Sequence, residues 1–198
     1  MKVIGLCGGS GSGKSTIASF FRDYGVEILD ADVIYHEITS YMSDCLISLR
    51  DAFGDAIIQD NTLNRKALST IVFEGANAQA NRKRLNEITH KYVKEEMCRR
   101  IMSFEQKGTQ LVLLDVPLLF ESDIDKICDY LICVTAPLET RIERLLKRDG
   151  VTRERAMARI ASQHTDEYLI AHTHFHIIND QAPCDAKKQV KEIIKKIR

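Results

Sequence analysis

Between Cys7 and Thr16 the chain reads CGGSGSGKST. Gly8, four intervening residues and then Gly13-Lys14-Ser15 is the spacing of a loop that cradles phosphates. Gly9, Gly11 and Gly13 allow positive φ and keep side chains out of the path of an anion. Their N–H groups, with that of Ser12, then converge as a nest backed by the positive end of the following helix. Lys14 is long enough to reach β- and γ-phosphates, the Ser15 hydroxyl suits Mg²⁺, and Thr16 completes the phosphate-binding set. The pattern implies a nucleoside triphosphate with Mg²⁺. It leaves the acceptor open, because the same loop serves kinases, GTPases and motors.

Three further groups bear on the acceptor. Asp32 falls just past a short apolar run at 26–29, on the edge where open α/β sheets bind ligands. It suits a general base for a hydroxyl, and equally the N-cap of a helix starting at Val33. Asp115 closes the run LVLLD. It fits an acid that holds the Mg²⁺ shell through water, or one simply held by hydrogen bonds at a strand end. From Arg141 to Arg159 the chain carries six arginines and one lysine against three acids. That stretch reads as helix, Asp149-Gly150 turn and helix, with Gly150 ending the first and Thr152 capping the second. Its cations fit either a mobile cover for a transferring phosphoryl group or a solvated basic hairpin. No NKxD guanine motif occurs, and Asp115 is followed by Val-Pro-Leu rather than opening an Asp-x-x-Gly switch.

The elements that must position these residues alternate in type. KVIGLC, VEIL, LVLLDV and YLICV read as strands, with a fifth at 175–178, and helical periodicity separates them. That order implies an α/β fold with a parallel sheet flanked by helices. About 80 residues between the second and third strand show helical spacing and no strand, including Leu46, Ile47, Leu49 and Phe53 before Gly54. They read as a helical insert. The expected division is a core of 1–32, 109–137 and 162–198, an insert at 33–108 and a helical lid at 138–161. His172, His174 and His176 alternate as they would on one strand face, a conceivable metal site without a carboxylate or thiolate at a familiar spacing.

Composition narrows the classes. In 198 residues, Lys and Arg number 28 and Asp and Glu number 28, so the net charge is zero. Such a chain lacks a bulk electrostatic reason to coat nucleic acid or an anionic membrane. The six cysteines include no CxxC pair, no apolar run approaches the roughly 18 residues of a membrane helix, and no signal peptide is evident. The expected setting is the reducing cytoplasm.

Taken together, GGSGSGKST, DAD at 30–32, VPLLFE at 116–121, RLLKRDG at 144–150 and ARIASQ at 158–163 resemble the dephospho-coenzyme A kinases. LNRKAL at 63–68 and LNEITH at 85–90 are similar to that family's inserted domain. The resemblance runs from about residue 3 to Asn179. It implies a P-loop kinase that moves the ATP γ-phosphate to the ribose 3′-hydroxyl of dephospho-CoA, with Mg²⁺ between the β- and γ-phosphates. Asp32 then matches the presumed base, and Lys14, Ser15 and the loop amides match the ATP site. Arg144, Arg148 and Arg159 match lid positions that neutralise transferring charge. Arg65 and His90 match the acceptor-binding insert, and Asn179 a residue near the nucleotide base. His90 precedes Lys91 where the family commonly has proline. The other classes that the loop permits are a different nucleoside or nucleotide kinase and an ATP-dependent switch.

Overall fold

The apolar runs become strands of one five-stranded sheet. The computed structural model describes residues 1–74, 77–180 and 182–198. In chain order the elements are β1 (Lys2–Cys7), α1 (Lys14–Arg22), β2 (Glu27–Asp30), α2 (Ala31–Ile38), α3 (Asp44–Phe53), β3 (Ile58–Gln59), β4 (Thr62–Leu63), α4 (Arg65–Phe73) and α5 (Ala78–Gln106). Then come β5 (Leu111–Asp115), β6 (Tyr130–Thr135), α6 (Leu138–Asp149), α7 (Arg153–Ala161), α8 (Asp166–Ala171), β7 (Phe175–Ile178) and α9 (Pro183–Ile197).

The chain divides into two compact units, Met1–Leu29 with Phe104–Arg198, and Asp30–Ser103. The first holds the sheet, in the order β2-β5-β1-β6-β7. β1 lies parallel to β5, with Leu6 opposite Asp115, and parallel to β6, with Cys7 opposite Cys133. β6 lies parallel to β7, with Thr135 opposite Ile178. These registers bring the segments after Cys7, Asp115, Thr135 and Ile178 to one carboxyl edge. All five residues of β5 are buried, as expected of a strand covered on both faces. Ile17, Phe20 and Phe21 of α1 and Val190, Ile193 and Ile194 of α9 pack with Ile4, Leu113, Val134 and Ile177 into the main core. α6 and α7 close a smaller cluster of Ile142, Leu145 and Ala156.

Burial makes the inner thiols poor nucleophiles. It pushes Cys7, Cys45 and Cys128 up to about 12, and all six cysteines are unpaired. Among the described residues no helix is long and apolar enough to cross a membrane.

The second unit is mainly helical, as its spacing predicts. It also contains the short β3–β4 hairpin, which that spacing does not reveal. Strands of two residues are too short for an alternation signal; the hairpin depends on Asp60 and Asn61, which turn the chain at φ 50° and 60°. Ser43 and Asn64 cap α3 and α4 through the N–H groups of Leu46 and Ala67. On α5, Glu96 accepts from Arg99 at 2.6 and 2.7 Å and from Arg100 at 2.7 Å, and Arg100 also pairs with Glu37 of α2. Hydrogen bonds from Arg99, with help from Arg100, lower the Glu96 carboxyl to about 2 against the cost of its burial.

A depressed carboxyl stabilises the fold above its unfolded value, near 4.5 here, and loses that contribution as pH falls toward 2. Glu96→Gln is therefore expected to lower the melting temperature at neutral pH by a few degrees. It should also flatten the loss of stability between pH 4.5 and about 2, as followed by circular dichroism melts.

Candidate active site

The phosphate loop starts where β1 ends, and its shape is set by what holds its carbonyls. Gly11 and Gly13 sit at φ 80° and 85°, and Gly13 caps α1 without any side-chain hydrogen bond to the first-turn amides. Asn179 donates from Nδ2 to the Ser12 carbonyl at 2.8 Å. Arg144 donates from Nη1 to the same carbonyl at 3.0 Å and to that of Gly11 at 3.2 Å. Its Nη2 donates to the Asn179 carbonyl at 2.9 Å, closing a ring of three residues. In a planar trans peptide the N–H points opposite the C=O. Drawing the Ser12 carbonyl toward Arg144 and Asn179 therefore aims the Gly13 N–H the other way, as an anion nest requires. A Cβ at Gly13 would lie 2.1 Å from Asn179 Nδ2, so no larger residue keeps this brace.

Lys14 pairs with Asp115, the buried acid ending β5. Beside the loop lies a cavity of about 560 Å³ lined by Gly13, Ser15, Thr16, Arg144, Arg148 and Asn179, among others. That size suits a nucleotide-scale ligand. Ser12 takes no part in lining it: its hydroxyl is buried without a hydrogen-bond partner among the described residues. The exposed Ser15 hydroxyl and the Asp115 carboxylate are hard oxygen donors, the set that Mg²⁺ prefers.

The basic stretch is not one solvated face. Arg144 is half-buried, and both of its Nη atoms donate to backbone carbonyls. Arg148 forks onto Asp149 at 2.6 and 2.8 Å, and Arg159 reaches the same carboxylate at 3.0 Å. The Arg148 hydrogen bonds, with Arg159 adding its charge, hold the Asp149 carboxyl below its ordinary range. Arg141, with Ile142 and Leu145, lies on the buried face of α6. Its spacing to Leu145 was the available signal that this arginine faces inward.

In the second unit, α2 begins at Ala31, two residues earlier than expected, and its cap is Asp30. The Asp30 carboxylate accepts from the N–H groups of Asp32 and Val33 at 2.8 and 3.1 Å. The capping reading of Asp32 is thus corrected: Asp30 fills that role, and Asp32 is an exposed residue of the first turn. Arg65 opens α4 and donates to Thr39 Oγ1 at 3.3 Å, and His90 lies half-buried in α5.

The three alternating histidines are separated by the fold. His172 ends α8 and stacks on Tyr168, with ring centres 4.0 Å apart. His174 Nδ1 accepts from the Leu131 N–H at 3.0 Å, and only His176 lies in β7, 2.7 Å from Thr135 Oγ1. Because α8 occupies 166–171, the strand starts too late to align them. No metal-binding cluster of His, Cys, Asp and Glu occurs among the described residues.

A mostly parallel sheet with a braced Gly-rich loop between its central strand and a helix defines the P-loop nucleotide-binding class. Shikimate kinase from Acinetobacter baumannii shares the fold with a TM-score of 0.55 at 17% identity, across 100% of this chain and 93% of that one. TT1252 from Thermus thermophilus superposes more closely, with a TM-score of 0.77 at 29% identity over 100% and 98%. The dephospho-CoA kinase family model matches residues 2–185. The dephospho-CoA kinase of Bacillus thuringiensis subsp. konkukian is 37% identical over 195 residues, 98% of this chain and 96% of that protein. The chain belongs to the dephospho-CoA kinase family.

Because Arg144 and Asn179 share the Ser12 carbonyl, Arg144→Met and Asn179→Ala should each weaken ATP binding by about tenfold. Calorimetry on the double variant should show a loss smaller than the product of the two, since either change alone already frees that peptide.

Proposed function

We propose that this protein transfers the γ-phosphate of ATP to the 3′-hydroxyl of the dephospho-CoA ribose, giving coenzyme A and ADP. The observation that carries the reading is the braced loop beside its nucleotide-sized cavity, in a chain of the dephospho-CoA kinase family. ATP docks its phosphates on the amides of Gly11, Gly13, Lys14, Ser15 and Thr16. Lys14 exchanges the Asp115 carboxylate for phosphate oxygens, which keeps its charge paired throughout.

Ser15 and Asp115 would hold Mg²⁺, which when bound would neutralise phosphate charge. Asp32 orients the acceptor hydroxyl and takes its proton as the new P–O bond forms. Its place in the first turn of α2, directly after β2 and beside the capping carboxylate of Asp30, supports this role. Arg148 lines the nucleotide cavity and, with Arg159, moves from Asp149 to cover the transferring charge. Arg144 contributes by keeping the loop preorganised, with Asn179 closing the same side. Arg65 and His90 hold the acceptor within the insert. Little covalent chemistry is asked of the protein, so positioning and charge neutralisation carry the rate.

A coupled ADP assay with dephospho-CoA, nucleosides and nucleoside monophosphates tests the acceptor, with the product weighed by mass spectrometry. The expected product is heavier than dephospho-CoA by one phosphoryl group; phosphorylation of a nucleoside instead would reassign the substrate. Asp32→Ala should retain ATP affinity within about twofold while turnover falls by about 10²-fold or more. Turnover like that of the unaltered protein would remove Asp32 from the base role.

A further inference from the structure

Arg141 is a buried charge to which the transfer chemistry gives no task. Its side chain is 6% exposed. Nε donates to the Ser10 carbonyl at 2.9 Å, and Nη1 donates to Asp166 Oδ1 at 3.0 Å. Nη2 is buried and has no hydrogen-bond partner among the described residues. A Cβ placed on Gly9 would lie 2.1 Å from that nitrogen and 2.8 Å from the guanidinium carbon. The guanidinium thus lies against the Gly9 backbone and occupies the space a larger residue would need. The Ser10 N–H in turn donates to Gln163 Oε1 at 2.7 Å.

A buried guanidinium with an unsatisfied donor costs stability. What this one provides is a fixed Ser10 peptide. The Ser10 carbonyl and the Gly11 N–H belong to one planar unit, so holding the carbonyl toward Arg141 aims that N–H away from it. We propose that Arg141 is a positioning residue for the phosphate loop: anchored by Asp166 and laid against Gly9, it sets the Gly9–Gly11 backbone that receives the ATP phosphates. It acts through the loop and touches no substrate. The inference rests on the loop binding ATP, as the proposed function has it, and is independent of the acceptor.

Binding of a nonhydrolysable ATP analogue, read by calorimetry, separates the two. Arg141→Ala should raise the ATP dissociation constant by about tenfold, the loss of one strong charged hydrogen-bond set. In the assay the KM for ATP should rise by a similar factor, while the KM for dephospho-CoA stays within about twofold. Arg141→Lys should recover only part of the loss, because an ammonium lacks the planar fork. A merely structural role would lower the melting temperature and leave the ATP constants of the folded variant unchanged; that result overturns the proposal.

Gly9→Ala supplies a second arm. With Arg141 present the new methyl has no room, whereas in an Arg141→Ala background it should be tolerated, giving a coupling of at least about fivefold in ATP affinity. Independent, multiplying effects would also overturn the proposal. Should Arg141→Ala fail to fold, Asp166→Asn keeps the guanidinium but loosens its anchor, and ATP should bind about threefold more weakly. Unchanged affinity there counts against it. Failure of the kinase reading looks different: the unaltered protein would bind the ATP analogue and leave dephospho-CoA unmodified.

Discussion

Peptide planarity is the constraint on which the site depends. A loop that is to receive an anion must turn its N–H groups to one side, and each N–H is rigidly opposed to the preceding carbonyl. Those carbonyls then need donors of their own, because an unpaired polar group in a packed region is expensive. Arg144 and Asn179 supply donors to the Gly11 and Ser12 carbonyls, and Arg141 to that of Ser10. The parallel sheet is what brings these donors together. β1 lies between β5 and β6, and β6 pairs with β7, so the ends of four strands far apart in sequence share one edge. Asn179 follows directly after β7, tied by its own N–H to the Thr135 carbonyl at 2.8 Å. A residue 166 positions after Gly13 thereby reaches the start of α1 (179 − 13).

Much of this framework is legible in the amino acids. The buried strands appear as uninterrupted apolar runs, the loop as fixed glycine spacing, and the helix ends at Gly54 and Gly150 as residues that tolerate positive φ. What escaped are features decided by tertiary partners. Asp30 and Asp32 are the same residue type two positions apart, and only the true start of α2 assigns the capping role to the first. Arg141 and Arg144 look like members of a surface run because charge suggests solvent, yet each finds backbone carbonyls at long sequence separation. The alternating histidines illustrate the converse. A period of two on paper holds only inside a strand, and here the strand covers only the last of them.

The arginines of the basic stretch divide by what holds them. Arg141 and Arg144 are bound to main-chain carbonyls that have nowhere else to turn; these side chains are part of the scaffold. Arg148 and Arg159 instead share a single carboxylate, Asp149, and Lys14 shares the carboxylate of Asp115. A carboxylate is a replaceable partner: a polyphosphate presents more charge and more acceptor oxygens to the same donors. Parking cations on single acids also keeps them from repelling one another before a ligand arrives. The same logic accounts for a neutral chain that binds a highly charged substrate. Charge is concentrated by geometry rather than by composition, in a cleft whose fixed dipoles need no reorientation when the phosphoryl group moves.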